Sequence, residues 1–432
     1  MTNQLQSVSV FGLGKLGSCI AATLAQRGFD VLGVDIDPEK VARINAGQPP
    51  VEEPRLAESI AAGRPRLRAT VNPDEAVATQ ATFFIPPSPS LPDGSFSNEY
   101  LLKAMYPLAK ALRAAGKKHH LFVVSSTTTP GAVQQVIIPM LEKETGWVCG
   151  RDFGVCYNPE FIALGNVIQG LLEPDLVLIG ESDPESGERL EGLYRRYNSN
   201  QPRLARMSIP SAELTKISVN SYITMKISFT NQLRLIADQL PGADIRDILG
   251  AIGADTRIGS KYLRPGLSYG GPCFPRDNRL LAYAASQVGL EAPLAAAADR
   301  VNELTKQQLM ERVRALAAPG DAVAVLGLAY KPDTYIVEES AGLYLAQHLK
   351  RLGHRVFVHD FAATPANSPA LLEFEALPDL NALRRSSEIK VVAICCPWPQ
   401  YRGLSLPAAV KLADPWGLAG GPRGETSEAD RA

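Results

Sequence analysis

Ser7-Val8-Ser9-Val10-Phe11-Gly12-Leu13-Gly14-Lys15-Leu16-Gly17 is a short apolar run that ends in three glycines spaced G-x-G-x-x-G. The run reads as a buried strand over Ser7–Phe11, and Ser18 to Arg27 reads as a helix. A second apolar run, Val31 to Val34, ends in Asp35. Strand, glycine turn, helix, strand and acid in this order make a dinucleotide-binding unit. Gly12, Gly14 and Gly17, with Leu16 in the same turn, permit the close approach of a pyrophosphate to the positive end of the helix. Asp35 would accept hydrogen bonds from a ribose and repel a 2′-phosphate, so the expected cofactor is NAD rather than NADP.

Apolar runs continue to alternate with helical patterns at Phe83–Pro86, Leu121–Ser125 and Leu176–Gly180, which predicts a parallel doubly wound sheet. From Ser211 to about Gly250 the pattern is one long helix, read as a spacer or dimerisation element. After Asp321 the strand-to-glycine pattern returns at Val323–Leu328. A helix over Gly342–Leu352 follows, then strands over Arg355–Asp360 and Lys390–Cys395. Without a full G-x-G-x-x-G, this second nucleotide-type fold is not expected to bind a second NAD. The expected fold is therefore α/β, two doubly wound Rossmann-like domains joined by a central helical region. The boundaries read as 1–205, 206–305 and 306–417, with a Gly- and charge-rich tail, 418–432, expected to be disordered.

A chain of 432 residues with 45% hydrophobic and 21% charged residues has the make-up of a soluble multidomain protein. Its net charge of -1 offers no field for nucleic acid or for an anionic membrane, and no apolar run is long enough to span one. No leader-type stretch precedes the first strand and the six cysteines form no paired framework, so a reducing cytoplasm is the expected compartment. The five histidines fall in no metal-binding or triad arrangement, so no metal is expected and proton chemistry is left to carboxylates, lysine and cysteine.

Tyr269-Gly270-Gly271-Pro272-Cys273-Phe274-Pro275-Arg276-Asp277 places one thiol between a flexible Gly-Gly step and a carboxylate, a setting for a nucleophile as well as for a small buried residue. Four other segments carry polar groups. Ser126-Thr127-Thr128-Thr129-Pro130-Gly131 follows a strand, Asn158-Pro159-Glu160-Phe161 puts an acid in a turn, Lys216 and Asn220 share a helix face, and Lys331-Pro332-Asp333 follows the second glycine turn. Taken singly, each also reads as a cap, a turn or a solvated surface.

Together they resemble the UDP-glucose/GDP-mannose dehydrogenase family. The shared elements, in order, are GLGKLG, Glu53-Pro54, Pro87-Ser88-Pro89, STTTPG, NPEF, Glu213-x-x-Lys216-x-x-x-Asn220, Arg257-Ile258-Gly259, GGPCFPRD and GLAYKPDT. The resemblance implies an NAD-dependent four-electron oxidation of a nucleotide sugar, from the C6 alcohol to the carboxylate, through a Cys273 thiohemiacetal and thioester. Lys216 and Asn220 would stabilise an oxyanion, Asp277 and Thr127 would position water, and Glu160 would act as base. The resemblance assigns Ser88 and Thr127 to the cofactor. It assigns Glu160, Phe161, Lys216, Asn220, Tyr262, Arg264, Leu267, Ser268, Gly270 and Lys331 to the substrate. Arg257 would reach across a homodimer.

The chain departs from the family pattern at Leu164, where a second acid is usual, and at Glu338, where an arginine is usual. An anion at 338 would be unfavourable near a pyrophosphate. Pro272 precedes the cysteine where the N-acetylhexosamine branch has histidine, which favours a neutral hexose such as UDP-glucose. The alternatives are GDP-mannose or a UDP-N-acetylhexosamine as substrate, or a relative that binds nucleotide sugars without turnover.

Overall fold

A computed structural model describes residues 4–162 and 165–419, so Leu164 and positions 420–432 of the tail lie outside the described residues. The chain divides into two compact units, 1–218 with 286–288, and 219–285 with 289–432.

The first unit is built on eight strands: β1 (Ser7–Phe11), β2 (Asp30–Val34), β3 (Leu67–Thr70), β4 (Ala81–Phe84), β5 (Leu121–Val124), β6 (Gly154–Tyr157), β7 (Leu176–Glu181) and β8 (Arg203–Ser208). Their order is β3-β2-β1-β4-β5-β6-β7-β8, which contains the 3-2-1-4-5-6 order of a dinucleotide-binding sheet. Successive residues of one strand feed opposite cores. Phe83, Leu121 and Val123 pack on one face, while Phe84, Phe122 and Val124 pack on the other. Burial on both faces is why these strands read as continuous apolar runs rather than as alternations. One expectation fails here: β6 and β7 pair antiparallel, with Cys156 opposite Glu181 and Tyr157 opposite Gly180.

The fingerprint helix runs from Lys15 to Gln26, so it starts three residues before the predicted Ser18. Its start is set by packing, because a Cβ at Gly17 would fall on the carbonyl oxygen of Gly12. The long helix spans Ile209–Ala237 and stops before Pro241-Gly242, and a separate helix, Ile245–Ala254, follows. The predicted single helix to Gly250 is therefore two, since proline cannot continue the hydrogen-bond ladder.

The second unit holds a five-stranded parallel sheet: β9 (Ala322–Leu326), β10 (Arg355–His359), β11 (Glu375–Ala376), β12 (Ile389–Ile394) and β13 (Lys411–Ala413). The order β11-β10-β9-β12-β13 repeats the first half of the other sheet. It also repeats the glycine contact. Gly327 has φ +87°, and a Cβ at Gly342 would fall on the Gly327 carbonyl oxygen, as Gly17 does on Gly12. The first and last glycine positions of the fingerprint are thus present, fifteen residues apart instead of five, and no glycine stands between them, as the sequence indicated. The extra residues form the segment that carries Lys331 and Glu338. At the end of the described chain, Leu418 and Ala419 are tied down through Gly403 N–H to Leu418 O and Ala419 N–H to Asp414.

Candidate active site

In the first unit, Asp35 ends β2 and accepts hydrogen bonds from Leu13 N–H (2.6 Å) and Asp37 N–H (2.9 Å), with Lys40 at 3.7 Å. Gly14 occupies the N-cap of the fingerprint helix without any side-chain cap, and a Cβ there would meet no protein atom within 4 Å. Nothing in the protein's own packing requires glycine at 14. The open space and the uncapped N–H groups fit the phosphates of a dinucleotide. Gly12, with φ +95°, is the residue that needs glycine for its backbone. Leu16 is half-buried beside this turn. Lys15 lies 3.8 Å from Glu53, whose other carboxylate oxygen accepts Val167 N–H.

The corresponding groups of the second unit are already occupied. Asp360, at the end of β10, accepts from the N–H groups of Leu328, Ala329, Ala362 and Ala363 and from Trp398 Nε1. Ser340 caps the helix Ala341–Arg351 through Leu343 N–H. These groups hold the protein together, where in the first unit Gly14 and the helix N-terminus stand open.

The STTTPG run sorts into structural and available hydroxyls. Ser126 donates to Pro86 O (2.6 Å), Thr128 to buried Glu213 (2.9 Å), and Thr129 accepts Phe96 N–H (3.0 Å). Glu213 also takes Gly131 N–H and Val133 N–H, so a single carboxylate shapes the turn. Thr127 is half-buried and has no side-chain hydrogen bond among the described residues. Ser88 lies half-buried beyond β4.

Asn158 pins the NPEF turn, donating to Leu178 O (2.9 Å) and accepting Tyr194 O–H (2.5 Å). Tyr194 also reaches Glu160 at 3.4 Å. Lys216 donates to the Glu160 backbone carbonyl at 2.8 Å and lies 4.8 Å over the Phe161 ring. Burial pushes the Glu160 carboxyl up to about 7, with Lys216 and Tyr194 opposing the shift. A carboxyl in that range can take a proton near neutral pH, as a general base must.

In the second unit, Cys273 immediately precedes the helix Phe274–Ser286, and its carbonyl accepts Asp277 N–H at 2.9 Å. The sulfur thus belongs to the residue at the helix N-terminus, a setting that favours a thiolate. Cys273 is exposed. The other five cysteines are buried or half-buried, and burial raises the thiols of Cys19, Cys149, Cys156, Cys395 and Cys396. Asp277 is buried and accepts Asn220 Nδ2–H at 2.6 Å.

One turn further along the long helix, Thr224 donates to Asn278, whose amide reaches Asp299 and Tyr269 O–H. Asn231 closes on the predicted substrate loop, accepting Gly266 N–H (3.1 Å) and donating to Leu267 O (3.0 Å). Asn302 does the same two residues on, accepting Tyr269 N–H (2.8 Å) and donating to Tyr269 O (3.0 Å). Asn231, Asn302, Asn278 and Tyr194 were not singled out from sequence. The legible signal was a polar stripe at 220, 224, 228 and 231, spaced as one face of a helix.

Within the loop, Tyr262 has φ +64° and is exposed, as is Arg264. Leu267 and Gly270 are buried, and Ser268 has a buried hydroxyl without a partner. Lys331 is half-buried near Cys396. Arg257 is 87% exposed and pairs with Asp255 of its own chain at 2.6 Å. Glu338 is exposed, and its backbone carbonyl accepts Gly271 N–H at 2.9 Å. Among the described residues no group of three or more His, Cys, Asp or Glu could hold a metal, and no helix is long and apolar enough to cross a membrane.

A glycine fingerprint with its acid, facing open space at a helix N-terminus, defines a dinucleotide-binding protein. Comparison with known proteins makes the class particular. The UDP-glucose/GDP-mannose dehydrogenase family matches through its NAD binding domain at residues 6–198, its central domain at 210–304 and its UDP binding domain at 324–416. The chain belongs to this family. It is 37% identical over 362 residues to the UDP-glucose 6-dehydrogenase AglM of Haloferax volcanii, covering 83% of this chain and 84% of that one. It is 35% identical to the GDP-mannose 6-dehydrogenase of Azotobacter vinelandii over 89% of both chains. The solved UDP-glucose dehydrogenase of Pyrobaculum islandicum superposes with a TM-score of 0.88 at 34% identity, covering 96% of this chain and 94% of that one.

Two measurements probe the cofactor half. Gly17→Ala should destabilise the fold by about 2 kcal/mol or more, read in chemical denaturation, because backbone must move. Gly14→Ala should leave stability within about 0.5 kcal/mol of wild type yet weaken NAD binding in a direct titration. For Glu160, the raised carboxyl means that the stabilising, protonated state is shared below about 4.5 and is lost as pH rises towards about 7. Glu160→Gln should therefore match wild-type stability near the lower value and exceed it at and above the upper one, measured as denaturation midpoint against pH.

Proposed function

We propose that the protein oxidises the C6 alcohol of a nucleotide-diphosphate hexose to the carboxylate by way of a covalent thioester on Cys273. NAD, when bound, supplies a hydride acceptor for each of the two oxidations. The observation that carries the reading is the contrast among cysteines: five are buried or half-buried, and Cys273 alone is exposed, at a helix N-terminus with its carbonyl bonded to Asp277 N–H.

The chain's groups fit a sequence of balanced steps. As the alcohol gives up its hydride, Lys216 and Asn220, one turn apart on the long helix, stabilise the oxygen that loses its proton. The Cys273 thiolate then adds to the aldehyde carbon and forms a C–S bond, and the oxygen takes up a proton as the thiohemiacetal. Loss of a second hydride and of that proton leaves the thioester. Glu160 or Asp277 draws a proton from water, the water oxygen attacks the acyl carbon, and the C–S bond breaks to release thiolate and the carboxylic acid, which gives its remaining proton to solvent as the carboxylate. Thr127, with its free hydroxyl, positions water or cofactor.

Tyr262, Arg264, Ser268 and Lys331 supply the aromatic face, cations and hydroxyl that a nucleotide diphosphate needs. A UDP-glucose-like substrate is favoured by the match to a UDP binding domain and by the Pyrobaculum likeness. GDP-mannose is the second reading, carried by the Azotobacter relative. We further propose a three-part working division at about 205 and 305, and a cytoplasmic homodimer. Tyr222, Phe229 and Ile236 stand exposed seven residues apart on the long helix, a seam that a second copy could cover, with Arg257 reaching the partner.

The deciding experiment is NADH formed per nucleotide sugar consumed, across UDP- and GDP-hexoses and UDP-N-acetylhexosamines. Two equivalents are expected for wild type with one sugar, and Cys273→Ser should lose most carboxylate formation. Full carboxylate yield from that variant would sink the thioester route. For the dimer, Phe229→Glu should shift the sedimentation mass to that of one chain; an unchanged dimer would exclude this seam.

A further inference from the structure

Glu339 is a charged residue in a backbone region suited to glycine, with φ +55°. For a residue with a Cβ that conformation costs roughly 1 kcal/mol and persists where the surroundings fix it. The carboxylate accepts from Arg279 Nη2 at 3.1 Å and from Lys306 Nζ at 3.5 Å. Arg279 lies on the helix that begins directly after Cys273, and Lys306 is a lysine only 4% exposed on the helix Pro293–Leu316. Glu303 shares Lys306 at 2.7 Å, and Tyr344 lies under the same ammonium at 5.7 Å.

The backbone of the same turn closes on the other side of the cysteine. Glu338 O takes Gly271 N–H, and Glu339 O lies 2.5 Å from where a Cβ at Gly270 would stand. A Cβ at Gly271, with φ +81°, would meet the Tyr330 ring at 2.7 Å. The turn therefore holds the Gly-Gly step before Pro272-Cys273 through its peptide and the helix after Cys273 through its carboxylate. Ser340, the next residue, caps the helix Ala341–Arg351, which fixes the far end of the turn.

We infer that Glu339 is a positioning residue that sets the Cys273 sulfur for attack on the aldehyde. The inference rests on the thioester reading above. A turn needed only for its backbone would be served better by glycine, whereas the glutamate adds two ionic tethers. Its loss should loosen the loop, fray the first turn of the Cys273 helix and slow the thiol. The first oxidation, which does not use the sulfur, should be spared.

Full-length Glu339→Gly and Glu339→Gln separate the possibilities. Glycine keeps the left-handed turn and removes the carboxylate; glutamine removes the charge and keeps one accepting oxygen of the two. Alkylation of Cys273 by iodoacetamide, followed by mass spectrometry well below the melting temperature, needs no substrate. The glycine variant should react about tenfold more slowly, and the glutamine variant, with one acceptor left, should fall between it and wild type. In turnover, the glycine variant should release aldehyde, and its NADH yield should fall from two equivalents towards one. Wild-type alkylation in the glycine variant would overturn the inference, as would equal slowing in both variants with no rescue. Should the glycine variant not fold, Arg279→Met removes one tether from a half-exposed position and should slow alkylation by a smaller factor; no change would count against the inference. If the wild-type enzyme itself fails to give two equivalents, the thioester reading falls, while the alkylation arm still judges Glu339.

Discussion

No methyl group fits between the first turn of the fingerprint helix and the carbonyl of Gly12, and none fits between Gly342 and the carbonyl of Gly327. This steric exclusion brings each helix N-terminus against the strand that precedes it. Its consequences differ between the two units because of what lies between the glycines. In the first, a five-residue turn leaves Gly14 open and the helix uncapped. In the second, the lengthened turn returns over its own helix, caps it with Ser340, and consumes Asp360 in backbone hydrogen bonds. The same contact thus yields a cofactor cradle in one unit and a structural buttress in the other.

Buried polar side chains do much of the remaining work. Glu213 organises the hydroxyl turn, Asn158 the acid turn, and Asn231 with Asn302 the loop ahead of Cys273. Each side chain satisfies donors or acceptors that an irregular segment would otherwise bury unpaired, at a cost of about 1–3 kcal/mol per group. Burial sets the chemistry as well as the shape. It raises the Glu160 carboxyl and the thiols of the buried cysteines, whereas Cys273 is exposed.

Much of this was legible in the sequence where periodicity and glycine spacing carry it. The eight strands placed from sequence fall within a few residues of their predicted positions, because strands buried on both faces leave uninterrupted apolar runs, while β3, β6, β8, β11 and β13 carried no prediction. The antiparallel β6–β7 pair was not legible, since strand direction is decided by the path of the connecting chain. The early start at Lys15 was hidden because the exclusion at Gly17 acts through backbone atoms. The exposed thiol could be singled out from its Gly-Gly and proline neighbours. Its setting could not: Asn231, Asn302 and Glu339 read as ordinary polar residues until their partners, 35, 33 and 60 positions away, are brought beside them.

Asn231 and Asn302 grip the loop before Cys273 by its peptide groups and make no demand on its side chains. A segment anchored in this way keeps its path whatever residues it displays outward at 262 and 264. Such a chain can drift in what it displays without renegotiating how it folds, which gives selection an exposed surface that is largely uncoupled from the stability of the protein behind it.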